Sequence, residues 1–156
     1  MRTRRLIIAV IAGGLTTGVQ AQGAPPVPSL SDEQVQKVLM LALDNMTRAR
    51  CENMQPCAAA TAEERANPPL TIAEARTVMH RGVLSATGEH CGLDWQGRNF
   101  NPMMSYWRHK MKKNERQLAI ISLLHGIMQG MVKPNSQMVC TAQMRENLDR
   151  RLSFQP

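Results

Sequence analysis

The chain has 156 residues, about one domain's worth, with a formal net charge of +7 and only 3% aromatic residues. So few aromatic side chains leave little for bases to stack on, and the charge is too modest to make a nucleic-acid footprint, so nucleic-acid binding is not expected. There is no internal repeat, no low-complexity tract and no sustained alternation of apolar and polar residues, which excludes a solenoid and an extended sheet.

The first residues read as a leader. Three arginines (Arg2, Arg4, Arg5) precede an apolar run from Leu6 to Leu15, and Val19-Gln20-Ala21 supplies a small-residue exit. This is the pattern of a secretory signal peptide, residues 1–21, cleaved after Ala21. The apolar run falls well short of the roughly 20 residues that a membrane span needs. Cleavage removes those arginines and no acid, taking the charge from +7 to +4. The expected location is therefore periplasmic or extracellular.

Export changes the reading of the four cysteines (Cys51, Cys57, Cys91, Cys140). In an oxidising compartment an even count argues for two disulfides, and the absence of a C-x-x-C pair argues against zinc. Of the three pairings that four cysteines allow, we favour Cys51 with Cys57 as a local staple and Cys91 with Cys140 across a long loop.

Residues 22–30 carry three prolines and form an extended linker, and residues 31–156 form one helical domain. Ser31 with Gln34 is a capping box, flanked by a Leu30–Val35 staple. Val35, Val38, Leu39, Ala42, Met46 and Ala49 give that helix one apolar face, ending near 50–54. A short helical piece is expected over 58–65, stopped by Asn67-Pro68-Pro69. Thr71 with Glu74 opens a helix to about His90, its inward stripe being Ile72, Ala75, Met79, Val83, Ala86 and His90. Residues 91–100 read as a shaped loop whose Trp95 and Phe100 either bind something or plug the core.

Asn101 as cap and Pro102 at the first position open the longest proline-free span. Met104, Trp107, Met111, Asn114, Leu118, Ile121, His125 and Met128 alternate in threes and fours, which predicts one continuous helix over 102–132. Asn114 to Gln117 offers a competing capping box that would break it into a hairpin. A stripe of Ala119, Ser122, Gly126 and Gly130 beside the seam suits a close helix crossing, within the chain or in an oligomer. A last helix follows Thr141, with Met144, Leu148 and either Leu152 or Arg151 marking its contact face. The predicted fold is all-α: a small disulfide-stapled bundle of about four main helices around one long central helix.

Three constellations carry chemistry. The first is a basic face, Arg108, His109, Lys110, Lys112, Lys113 and Arg116 beside Tyr106 and Trp107, suited to an anionic lipid or glycan surface or to an acidic envelope protein. The second is His125, Met128 and Met131 with His90, imidazole and thioether ligands of the softness that copper(I) takes. The third is Glu89, His90 and Asp94 around Cys91, with Arg98 near, an acid–base set for a small hydrolase. The sequence has no C-x-x-C-H, G-x-S-x-G, P-loop or H-E-x-x-H motif to strengthen a catalytic reading. The basic face, in a non-enzymatic envelope protein that works by contact, is the favoured expectation. Copper binding is the alternative.

Overall fold

The computed structural model describes residues 29–51, 54–132 and 138–156. The expected leader and nearly all of the expected linker lie outside them. The described residues fold as helices α1 (Asp32–Asp44), α2 (Ala62–Ala66), α3 (Ile72–His90), α4 (Asn101–His109), α5 (Glu115–Met131) and α6 (Ala142–Leu152). No strand occurs among them, and no helix there is long and apolar enough to cross a membrane.

Local chemistry sets the helix starts. Capping boxes open α1 (Ser31, Gln34), α2 (Thr61, Glu64), α3 (Thr71, Glu74) and α5 (Asn114, Gln117), each side chain satisfying an N–H that the helix cannot. The last of these corrects the expectation of a continuous helix over 102–132. The chain leaves α4 at His109, Lys112 takes a left-handed backbone with φ +54°, and Asn114 restarts a helix. The seven-residue repeat continues on either side of the break because both halves lie on the same core: Trp107, Leu118, Ile121 and Met128 are buried, whereas Met111 and Asn114, at the break, are exposed. The central helix thus begins at Glu115. Likewise α1 ends at Asp44 rather than near 50–54. A short 3-10 turn, Met46–Arg48, carries the chain on and still buries Met46 and Ala49.

Helix α5 packs along α3, with α1, α4 and α6 around the pair. The close crossing is made by Gly82 of α3, where a Cβ would lie 2.6 Å from the His125 carbonyl oxygen and 2.8 Å from the Met128 Cβ. The expected crossing residues, Gly126 and Gly130, are exposed, and a Cβ on either would meet nothing within 4 Å. The main core runs from Val35 through Met79 and Met103 to Leu124. A smaller one joins Leu84, Leu148 and Leu152 to the Cys91–Cys140 disulfide. Cys51–Cys57 closes the other expected bridge, around a turn in which the Cys57 N–H donates to the Ala49 carbonyl at 3.1 Å.

Residues 95–100 are helical rather than a loop. Asp94 caps the run by accepting the Gly97 N–H at 2.8 Å, and a π turn, Gln96–Phe100, feeds directly into α4. Asn101 is therefore inside the helical run, not its cap. Pro102 has no N–H to give the Arg98 carbonyl one turn back, and the Phe154 N–H takes that acceptor at 3.1 Å. The C-terminal segment is pinned by the vacancy that a proline creates.

Candidate functional site

The corner between α4 and α5 gathers the basic side chains, and its backbone is tightly wound. The Tyr106 carbonyl accepts the N–H groups of Lys110 (2.9 Å) and Met111 (3.1 Å), and the Trp107 carbonyl accepts that of Lys113 at 3.0 Å. These bonds close the end of α4 and turn the chain at Lys112. A left-handed backbone costs a β-carbon-bearing residue roughly 1 kcal/mol that glycine would not lose.

Sorting the cations by what they touch divides the expected face in two. Lys113 is largely buried and pairs with Glu74 at 2.6 Å. Burial by itself would raise the Glu74 carboxyl, but the bonds from Lys113 and from the Thr71 backbone outweigh it and leave it lowered. Arg116 donates to both carboxylate oxygens of Glu64 and, at 3.0 Å each, to the Ala58 and Ala59 carbonyls. Its hydrogen bond is the main reason the Glu64 carboxyl is held at about 2. Trp107 is buried, and Tyr106 packs its ring on Phe154. These four residues hold the fold. Arg108 is half exposed, with a long contact to Glu115 at 3.3 Å. His109, Lys110 and Lys112 are exposed, and neither lysine has a carboxylate within 4.0 Å among the described residues.

The His/Met set does not come together on one side of the structure. His125 is buried and shares a 3.0 Å hydrogen bond with Ser85, Met128 lies in the core, and Met131 is 62% exposed. Six residues apart on a helix, His125 and Met131 point about 120° apart. His90, expected on the inward stripe of α3, is exposed at its end and bonds the Met138 carbonyl at 3.1 Å. It is the last residue of α3, and Cys91, which follows it, is the one buried there. No cluster of three or more histidine, cysteine or acidic side chains suited to a metal occurs among the described residues.

The acid–base set is similarly dispersed into structural bonds. Glu89 accepts the Gln129 amide at 2.8 Å, Asp94 serves as a cap, and Arg98 pairs with Asp149 (3.1 Å) and donates to the Ser153 hydroxyl (2.7 Å).

A buried polar cluster was not anticipated. Asn99 donates to the Ser85 hydroxyl and to the Arg81 carbonyl, both at 2.8 Å, and Ser85 in turn meets His125. The His125 ring is covered by Phe100 (4.8 Å) and Trp95 (6.1 Å), which also meet each other edge to face. Burial, reinforced by the Arg81 charge, pushes its pKa down to about 4, so the ring is neutral at pH 7. Arg81 donates to the Arg151 and Leu152 carbonyls at the end of α6 and lies over the Phe154 ring, its own pKa lowered to about 10 by burial. The single serine of α3, Ser85, with Arg81 one turn before it, was the sequence signal for this cluster. The aromatic segment 95–100 is accordingly a plug over His125.

Fold and site together define a small, disulfide-stapled all-α protein with a basic helical corner. No family model, no curated protein and no solved structure matches the chain.

Proposed function

We propose that the chain is an exported, non-enzymatic protein that works by contact, its α4–α5 corner engaging an anionic component of the cell envelope. Two disulfides suit an oxidising compartment. One observation carries the reading of the corner. Once Lys113 and Arg116 are assigned to ion pairs within the fold, and Arg108 to its contact with Glu115, Lys110 and Lys112 remain exposed at a turn whose tip keeps lysine in a left-handed backbone. Backbone strain retained at an exposed charged residue points to use of that residue. Each lysine near an anionic surface contributes about 1 kcal/mol of attraction, lost within a Debye length.

The test is binding of the mature protein to vesicles of phosphatidylglycerol and phosphatidylethanolamine at low and physiological salt. Lys110→Glu with Lys112→Glu should weaken binding by at least about tenfold. The double variant should melt like the parent, because neither side chain pairs within the described fold. Lys113 is unsuitable for this purpose, since reversing it would break its bond to Glu74. Unchanged binding by the double variant overturns the reading.

A further inference from the structure

A second surface lies on the face of α5 that carries Ala119, Leu123 and Gly126, away from the corner with α4. An open groove of about 540 Å³ runs between the 3-10 turn that follows α1 and the outer face of α5. Ala49, Ala119, Leu123, Gly126 and Ile127 give it an apolar floor, and Arg48 and Arg50 stand on one wall. Both arginines are exposed. Neither has an ion pair among the described residues, a state they share with Arg145 and Arg151 of α6.

We propose that this groove is the docking site for an amphipathic, acid-flanked helix of a partner protein, its apolar stripe on α5 and its carboxylates on Arg48 and Arg50. Three features choose that occupant. From Ala119 to Ile127 the floor extends along α5 for about 12 Å, two helical turns. Ser122 and Gly126 keep the floor low, so a second helix can approach closely without displacing anything, since a Cβ at Gly126 would meet nothing within 4 Å. Two guanidinium forks on one wall select carboxylates, which they bind in a planar, two-bond geometry. An apolar floor with an arginine rim is also the composition of a protein contact rather than of bulk surface. The inference rests on the reading that the chain works by contact, but it uses none of the corner's residues.

The experiment uses the mature protein and two synthetic peptides of about five helical turns, identical in their Leu/Ala stripe and flanked by Glu in one and Lys in the other. Affinity is measured by fluorescence anisotropy, and the site by amide shifts of Ser122 and Gly126. The Glu peptide should bind at least about tenfold more tightly than the Lys peptide. Gly126→Leu should abolish binding while the fold is retained, because the new side chain has open space to enter. Arg48→Glu with Arg50→Glu should reverse the preference. Lys110→Glu with Lys112→Glu should change nothing here, so failure of the corner and failure of the groove are separable. Equal binding of the two peptides, or binding that survives Gly126→Leu, overturns the proposal. So does a concentration-dependent dimer that Gly126→Leu dissolves in sedimentation, which would assign the groove to a second copy of the chain.

Discussion

Glu64 and Arg116 are joined through a carboxylate that serves two helices at once. One oxygen of Glu64 accepts the Thr61 N–H at 2.9 Å, completing the capping box of α2, and accepts Arg116 from α5 at 2.6 Å. Glu74 repeats the device: it completes the box of α3 and holds Lys113. A residue that begins one helix thereby positions the start of another. Two of the six expected cations are consumed in fixing the corner from which others project.

Glu64→Ala should cost about 2 kcal/mol, combining loss of a cap with loss of a charge-assisted bond. Glu64→Gln, which keeps an acceptor for Thr61, should cost about half as much. Urea unfolding at pH 7 measures both. The carboxyl is held at about 2 in the fold, below its unfolded value, so its stabilisation is present above pH 4.5 and is lost as pH falls towards 2. A parent and a Glu64→Ala protein that unfold at the same urea concentration at pH 7 would show the pair to be energetically idle.

His125 sets a second pH dependence, at higher pH. Its folded pKa of about 4 lies below the ordinary 6.5, so the unfolded chain binds the extra proton between those values. Stability must therefore decline as pH falls from 6.5 to 4, by up to about 3 kcal/mol from this ring. Side-chain NMR gives the direct reading: the His125 ring should titrate with a midpoint of about 4. A midpoint near 6.5 would mean that the ring is wet and that Trp95 and Phe100 do not cover it.

Two glycines should respond to alanine with opposite signs. At Gly82 the new methyl would press on the His125 carbonyl, backbone that cannot step aside, and the cost should be about 2–3 kcal/mol. At Gly126 there is open space, and the gain in helix propensity should stabilise by up to about 1 kcal/mol. Melting the two variants beside the parent decides which helix face makes the crossing.

The two disulfides should differ in worth. Cys91–Cys140 spans a separation of 49 residues and Cys51–Cys57 one of 6, so chain entropy assigns about 4 and about 2 kcal/mol respectively. Paired serine replacements, compared by denaturant midpoint, should rank in that order. The reverse ranking would mean that the turn around Ala49, rather than loop closure, dominates.

Much of this architecture is local and was legible in the sequence. Ser31, Thr71 and Thr141 begin their helices because capping is decided within four residues. The all-α class follows from apolar spacing, whereas the pairing of Cys91 with Cys140 was one of three that the sequence allows, and the packing of the end of α3 against α6 decides it. The break at Asn114 was legible too, as a capping box, but its spacing competed with a repeat that runs through it. Local sequence cannot weigh the two, because what resolves them is the anchoring of Lys113 by Glu74 from another helix. The same is true of the basic face. Which cations are spent and which remain depends on Glu64 and Glu74, distant in the chain. Burial of His125 with Ser85 and Asn99, and the groove beneath Arg48 and Arg50, likewise arise where separate helices meet. Propensity and capping act over one turn; partner choice acts across the core, and only the packed structure decides it.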